Sequence, residues 1–346
     1  MLKYIVAFAI ASLITYVSTP IVKKLAFLIG AVDEPNARRI NKHPIPSLGG
    51  IAIYVGFVLS VMLLLEHDIK LVGIIASSTL ILIVGLVDDI KGISPKSKFI
   101  WQIMAAIVLT SFGIKIQFIT NPFGGILYLG KLSIPFTVLW LVAITNTVNL
   151  IDGLDGLAAG VSSIAALTLF AVAMQESEFI VMALAIAIAG ACLGFLQHNF
   201  NPAQIFMGDT GSLFLGFLLA TISVIGSLKG AAAMTLIIPI LALGVPIFDT
   251  MFAIIRRHQK GKPIFKADKG HIHHRLLEFG LNHKQAVIVV YLVSISLGMV
   301  AIAINSASEL QALLLLITIV VILLYGSYKL DIINLNSTNK NYENIS

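Results

Sequence analysis

Charged residues are scarce in this chain of 346 residues: Asp, Glu, Lys and Arg make up only 12% of it. A typical soluble domain contains roughly 25% of these residues. Hydrophobic residues make up 58% of the chain and the mean hydropathy is +0.97. The apolar runs are long and do not alternate with polar residues, which argues against a transmembrane β-barrel. The composition therefore predicts a membrane protein with many helical spans.

Cysteine is nearly absent as well, and nucleotide-binding signatures are missing. The one cysteine, Cys192, lies in an apolar run, so no intrachain disulfide can form and a small core residue is expected. The sequence has neither a Walker A motif nor a Rossmann fingerprint, which argues against those nucleotide-binding folds. A net charge of +6 is ordinary for a membrane protein with basic cytoplasmic loops, and we predict no nucleic-acid partner.

Eleven apolar runs have about the length of a membrane span, for which roughly 20 residues are needed. The runs are 2–20, 48–65, 71–87, 99–114, 132–149, 157–174, 179–197, 211–228, 231–252, 286–304 and 310–328. The first has no convincing cleavage site after it, so we interpret it as a retained helix and not as a signal peptide. The ninth contains Pro239 and Pro246 and should be kinked or broken. Residues 115–131 have the alternation of a small β-hairpin outside the bilayer.

The distribution of lysine and arginine predicts the orientation of these spans. With eleven spans, one side carries only Lys3, Lys70, Lys115, Lys131 and Lys229, and the other side carries the remaining 18 of the 23 basic residues. The second side should be cytoplasmic. The prediction is an all-α polytopic membrane protein with its N-terminus outside, its C-terminus in the cytoplasm and a cytoplasmic active-site cleft. We expect one integral-membrane catalytic domain over residues 1–328 and a polar, disordered cytoplasmic tail over 329–346.

Polar residues interrupt the end of the fifth run, in the stretch NTVNLIDGLDGLAAG. One recurs at every third position: Asn146, Asn149, Asp152 and Asp155. Acids at membrane depth mark a functional site by default. Three-residue spacing drifts by about 60° per step around an α-helix, so the helix should end near Gly153 or tighten into 3₁₀ geometry. Such a helix end suits a hydrated magnesium ion; the alternative is glycine-rich packing around buried amides.

Three further acids follow or precede apolar runs. In GLVDDIKG, Asp88 and Asp89 are adjacent and should repel each other. We expect one to face a site while the other caps a helix or pairs with a lysine such as Lys91, although both could be solvated. In FMGDTGS, Asp209 is a further candidate for a site, and the alternative is that it caps the following helix.

Two basic clusters complete the polar pattern. DEPNARRINKHPIPSLGG contains Arg38 and His43, which can donate to an anion or act as positive-inside anchors. GHIHHR contributes His271, His273, His274 and Arg275. Zinc binding by these histidines is disfavoured because the loop is strongly cationic, whereas an anionic ligand such as a phosphate suits it. Acids that hold magnesium, basic groups that hold phosphate and a position at the membrane surface together predict a pyrophosphate-containing substrate and a lipid.

Five stretches, in this order, resemble the polyprenyl-phosphate N-acetylhexosamine-1-phosphate transferase superfamily. They are DEPNARRINKHPIPSLGG, GLVDD, NTVNLIDGLDGLAAG, FMGDTGS and GHIHHR. The resemblance implies transfer of a sugar 1-phosphate from a UDP-sugar to a polyprenyl phosphate, with release of UMP. The His-x-His-His-Arg form is similar to the GlcNAc-1-phosphate branch, which implies UDP-GlcNAc and undecaprenyl phosphate as substrates at a bacterial cytoplasmic membrane. The alternatives are the phospho-MurNAc-pentapeptide transferase branch and, in another class, a lipid or solute transporter.

The resemblance also implies roles for individual residues. Asp209 and Asn149 would be ligands of Mg²⁺, for which Mn²⁺ could substitute. The implied catalytic acids are Asp88, Asp89, Asp152 and Asp155, with Asp88 contacting or deprotonating the lipid phosphate. The resemblance places Asp152, Asp155, His271, His273 and His274 in the nucleotide-sugar site. The full set of residues that we expect to bind substrate is Asn146, Arg38, His43, His271, His273, His274 and Arg275. The chain departs from the family pattern after the Asp pair, where Lys91 and Gly92 stand in place of a third acid. The predicted roles are compatible with either a monomer or a homodimer.

Overall fold

A computed structural model describes residues 1–34, 44–65, 68–120, 125–226, 236–259, 261 and 270–329. Within these ranges the helices are α1 (Leu2–Ile29), α2 (Gly49–Leu64), α3 (Ile69–Lys91), α4 (Pro95–Ser111), α5 (Ser133–Leu150), α6 (Leu157–Gln175), α7 (Phe179–Asn199), α8 (Gly208–Gly226), α9 (Ile237–Ala242), α10 (Gly244–Gln259), α11 (Ile272–Glu278), α12 (His283–Asn305) and α13 (Glu309–Lys329). Four short strands accompany them: β1 (Val32–Asp33), β2 (Ile45–Pro46), β3 (Phe118–Thr120) and β4 (Ile126–Tyr128). The expected tail 329–346 lies, apart from Lys329, outside the described residues.

The helices confirm an all-α polytopic membrane protein. Among the described residues, eight helices are long and apolar enough to cross a membrane: α1, α3, α5 with the 3₁₀ turn before it, α6, α7, α8, α12 and α13. Helix α2 is apolar but shorter. Each of the eleven predicted runs coincides with a helix or, for the ninth, with the pair α9 and α10. The full count of eleven spans and their orientation stay predictions.

The ninth run is broken, as its prolines predict. Helix α9 contains Pro239 and ends at Ala242, and α10 begins at Gly244 with Pro246 in its first turn. Proline lacks the N–H that a helix interior needs but is tolerated in a first turn. The predicted hairpin is also present, because β3 and β4 pair antiparallel with Ile119 opposite Leu127.

Helices α7 and α8 form the centre of the bundle. In each, about four fifths of the most apolar stretch is buried, 78% in α7 and 83% in α8, against 6% in the peripheral α13. Small residues let α1 and α7 approach closely: a Cβ added at Gly194 would lie 2.2 Å from the Ser12 carbonyl oxygen. Because Asp209 lies in the first turn of α8, it stands on one of the most enclosed helices of the molecule.

Candidate active site

The polar stretch after the fifth run is a helix end, as its spacing predicts. Helix α5 ends at Leu150, a turn covers residues 151–156, and α6 begins at Leu157 after Gly156, whose φ is +79°. The break leaves Asn149 in the last turn of α5 and puts Asp152 and Asp155 in the connecting turn. The backbone N–H of Asp152 donates to the Asn149 carbonyl at 3.2 Å, which holds the turn against the helix end.

Asp89 caps helix α8 from the end of α3. Its Oδ1 accepts from the Asp209 backbone N–H at 2.9 Å, and its Oδ2 accepts from the Thr210 N–H at 2.9 Å and from Thr210 Oγ1 at 2.6 Å. A carboxylate satisfies the free N–H groups of a helix N-terminus and suits the positive end of its dipole. One member of the aspartate pair is therefore a cap, as expected, although it caps a distant helix.

Close backbone approach brings α3 and α8 together at this point. A Cβ added at Gly85 would lie 2.5 Å from both the Asp209 carbonyl oxygen and the Thr210 Cα. Gly208 has a φ of +67°, and a Cβ there would lie 2.3 Å from Asp89 Oδ2. Glycine at these two positions is what allows Asp89 to reach the start of α8.

Asp88 and Asp209 face each other across the ammonium group of Lys98. Lys98 Nζ lies 2.5 Å from Asp88 Oδ2 and 2.6 Å from Asp209 Oδ2. Asp88 Oδ1 also accepts from the Ile93 N–H at 2.8 Å, in the turn between α3 and α4. The expected lysine partner of the pair was Lys91, and the structure has Lys98 in its place. Asp209 accepts no hydrogen bond from its own helix among the described contacts, which argues against its being a helix cap.

Asn149 completes this cluster. Its Nδ2 donates to Asp209 Oδ1 at 3.1 Å and to Ser212 Oγ at 2.8 Å. Asn146, one turn earlier, differs from the expectation of a substrate contact: its Nδ2 donates to Gln102 Oε1 at 2.5 Å and to the Val142 carbonyl at 2.8 Å. Asn146 therefore ties α5 to α4.

The two acids of the connecting turn have different surroundings. Asp155 Oδ2 accepts from Asn201 Nδ2 at 2.9 Å and from the Ala203 N–H at 3.0 Å, which fixes it to the loop before α8. The Asp152 carboxyl has no hydrogen bond or ion pair in the described part of the chain. Its burial, and then the carboxylates of Asp209, Asp89 and Asp155, raise the pKa of Asp152 to about 8.

The histidines at the start of α11 pack against the turn that connects α5 and α6. His273 is buried, its Nε2 has no hydrogen-bond partner among the described residues, and a Cβ added at Gly153 would lie 2.7 Å from that atom. Its burial, and then the neighbouring His274, lower the pKa of His273 to about 3, so its ring is neutral near pH 7. His271 lies further inside, where its Nδ1 is 2.8 Å from Asp249 Oδ2 on α10.

One cleft of about 1020 Å³ joins these groups. Its lining includes residues from all five polar stretches of the sequence, among them Pro44, Asp88, Asp152, Asp209 and His274. The paired strands β1 and β2 also line the cleft, as does Ser47, which pairs with Phe206 in the loop before α8.

The predicted site residues divide into three groups. Those that line the cleft are Asp88, Asp89, Asn149, Asp152, Asp155, Asp209, His273 and His274. Those that the described lining does not include are Asn146, His271 and Arg275. Arg275 instead donates to Glu278 Oε2 at 3.0 Å within its own helix. Arg38 and His43 lie outside the described residues.

Sequence reasoning missed three residues that the geometry brings forward: Lys98, Asp249 and His283. Asp249 accepts from the Ile272 N–H at 2.8 Å as well as contacting His271, so it anchors the start of α11. An acid inside an otherwise apolar run was a signal that could have found it. His283 lines the cleft, where its Nδ1 lies 3.0 Å from Asn201 Nδ2.

The donor set at the acidic end of the cleft fits a hard divalent cation. Oxygen atoms from Asp88, Asp89 and Asp209 lie within 4.8 Å of one another. Carboxylates, amide oxygens and water are the ligands that magnesium takes in proteins. Within the described residues, the histidines belong to no such cluster.

Comparisons with known proteins place the chain among enzymes that act on polyprenyl phosphates. The model of the family described as glycosyl transferase family 4 matches residues 71–227. A probable undecaprenyl-phosphate N-acetylglucosaminyl 1-phosphate transferase of Bacillus subtilis is 43% identical over 310 residues, which cover 89% of this chain and 87% of the relative. A decaprenyl-phosphate N-acetylglucosaminephosphotransferase of Mycolicibacterium smegmatis is 36% identical, covering 82% of this chain and 77% of the relative. A phospho-N-acetylmuramoyl-pentapeptide-transferase of Aquifex aeolicus is 35% identical, covering 87% and 94%.

Proposed function

This chain belongs to glycosyl transferase family 4, and on that premise we propose that it transfers GlcNAc-1-phosphate from UDP-GlcNAc to undecaprenyl phosphate. The products are undecaprenyl-diphosphate-GlcNAc and UMP. The observation that carries the proposal is the convergence of the five polar stretches on one cleft, where the acids of α3, α8 and the turn after α5 lie near the histidines of α11. The relative of higher identity, at 43%, is named for this reaction, and the muramyl-pentapeptide relative is 35% identical.

The cleft is suited to positioning two phosphate-bearing substrates. An Mg²⁺ ion held by Asp209 and Asn149, with Asp88 beside them, would supply positive charge that neutralises phosphate oxygens. A phosphate monoester is largely dianionic at neutral pH, since its second pKa is near 6. The lipid phosphate can therefore attack the sugar-bearing phosphorus in line without a strong base, and the residues of the cleft mainly hold the reacting groups in place.

The other residues of the cleft have supporting roles in this proposal. His273 and His274 contact the nucleotide sugar, because they line the cleft beside the Asp152 turn. Asp249 is a positioning residue, since it contacts His271 and the start of α11 and is not part of the described lining of the cleft. Asp89 acts through α8, where its three accepted hydrogen bonds orient the turn that carries Asp209.

We place the cleft at the cytoplasmic face of a bacterial cytoplasmic membrane, in one catalytic domain that spans residues 1–328. The bias of lysine and arginine supports this side. The position of the polar groups supports it as well, because the described ones lie at helix ends, whereas the binding sites of many transporters lie at the middle of the spans.

A purified-protein assay tests the proposed function. The protein in detergent, with undecaprenyl phosphate, UDP-GlcNAc and Mg²⁺, should release UMP, and Asp209→Asn should serve as the low-activity control. Excess EDTA should abolish release. Faster turnover of UDP-MurNAc-pentapeptide than of UDP-GlcNAc would assign the chain to the muramyl branch, and no UMP from either donor would contradict the transferase activity.

A further inference from the structure

The three clustered carboxylates differ in how many of their oxygen atoms a cation could take. Both oxygens of Asp89 are bound by the start of α8, and Asp88 Oδ1 is bound by the Ile93 N–H. Within the described part of the chain, three oxygens accept from no backbone group: Asp88 Oδ2 and both oxygens of Asp209. Two of these three, Asp88 Oδ2 and Asp209 Oδ2, contact the same ammonium group, that of Lys98.

Lys98 is thus bound at the oxygens that best suit a divalent cation. Its Nζ lies between two carboxylates that would otherwise repel each other, at 2.5 Å from one and 2.6 Å from the other. An oxygen so close to an ammonium group cannot coordinate a cation on the same side without displacing it. The side chain is 23% exposed and stands in the first turn of α4, and its flexible four-carbon stem lets the ammonium group take more than one position.

We propose that Lys98 is an exchangeable counter-ion of this site. In the substrate-free enzyme it holds Asp88 and Asp209 together. When a divalent cation binds to these carboxylates, the ammonium group leaves them and contacts a phosphate oxygen of a bound substrate. The proposal rests on the metal-dependent transferase function proposed above, and it adds a substrate-contacting residue that the sequence motifs do not contain.

The exchange predicts opposite effects on metal binding and on turnover. With Lys98→Met, the carboxylates lose a competing cation and should bind Mn²⁺ more tightly. A nearby opposite charge changes the proton affinity of a carboxylate by roughly 10- to 1000-fold, and we expect the low end, about tenfold, because this site is partly exposed. Turnover should nevertheless fall, and the KM for undecaprenyl phosphate or UDP-GlcNAc should rise, because a phosphate contact is lost.

The test measures Mn²⁺ affinity by electron paramagnetic resonance in purified, substrate-free protein, beside thermal stability and UMP release. The matched control is Lys96→Met, which removes an exposed lysine from the same turn and should change none of the three quantities. Lys98→Gln, which is neutral and more polar, serves as a second variant if Lys98→Met folds poorly.

Tighter Mn²⁺ binding together with slower UMP release in a folded Lys98 variant supports the exchange. Unchanged or weaker Mn²⁺ binding in a folded variant overturns it and leaves Lys98 as a structural bridge. If the unmodified protein releases no UMP, the proposed function fails, while the Mn²⁺ comparison still decides whether Lys98 competes with the cation.

Discussion

The adjacent residues Asp88 and Asp89 should separate cleanly when each is changed to asparagine. Asp89→Asn should lower the thermal stability of the protein, whereas Asp88→Asn should lower activity and leave stability nearly unchanged. The reason is that Asp89 binds three donors at the start of α8, while Asp88 faces the cleft and Lys98.

The size of the effect follows from these contacts. In Asp89→Asn one oxygen becomes an NH₂ group, so at best the two Thr210 bonds survive and the Asp209 N–H faces another donor. Losing one charge-assisted bond and weakening two others should cost about 2–4 kcal/mol. Asp88→Asn keeps an acceptor for the Ile93 N–H and weakens only a partly exposed ion pair, which is worth about 0–1 kcal/mol.

Thermal unfolding in detergent, followed by intrinsic fluorescence, measures the difference. We expect a fall in Tm of roughly 5 °C or more for Asp89→Asn and a much smaller one for Asp88→Asn. UMP release should fall in both, in Asp89→Asn because Asp209 loses its orientation. An unchanged Tm in Asp89→Asn, combined with weaker Mn²⁺ binding, would refute the capping role and make Asp89 a metal ligand.

Four further outcomes are expected. Asp209→Asn should lower kcat by about 10² or more, as for loss of one strong electrostatic contact; near-normal activity and an unchanged Mg²⁺ optimum in Asp209→Ser would reduce this residue to a helix cap. Gly85→Ala should lower both Tm and kcat, because the new Cβ would meet the start of α8 at 2.5 Å, and wild-type values of both would contradict that packing. The ring signals of His273 in labelled, substrate-free protein should not shift between pH 5.5 and 8, since its pKa of about 3 lies below that of an unfolded histidine. Because the folded protein holds this ring neutral, the free energy of unfolding should be highest above pH ~6.5 and should decline as the pH falls. A transition of the ring signals near pH 6.5 would disprove the burial of His273. In intact cells that express the protein with Cys192 replaced, Lys96→Cys should react only with membrane-permeant thiol reagents, and Ser177→Cys should also react with impermeant ones. The reverse pattern would show that the predicted orientation is wrong.

The helix break at the site could be predicted because its signals are local. A polar residue at every third position cannot stay on one face of an α-helix, and Gly153 and Gly156 favour a turn. The structure confirms the break between Leu150 and Leu157. The proline-induced break in the ninth run was predicted for the same kind of reason, since proline acts on its own helical turn.

The contacts that organise the site could not be predicted because they join distant parts of the chain. The Asp89 cap reaches a helix 120 residues later, and Lys98 meets Asp209 across 111 residues. No periodicity or local motif contains such pairings, which arise from the packing of α3, α4 and α8. Asn146 illustrates the same limit: its spacing matched that of the cleft residues, but its partner is Gln102 on α4.

The central claim is that this cleft joins a sugar phosphate to a polyprenyl phosphate. Mass spectrometry of the lipid formed by purified protein from undecaprenyl phosphate and UDP-GlcNAc measures this most directly. We expect undecaprenyl-diphosphate-GlcNAc, formed in equal amount to UMP and about 10²-fold more slowly, or slower still, with Asp209→Asn. Unchanged undecaprenyl phosphate in the presence of Mg²⁺ and folded protein would contradict it.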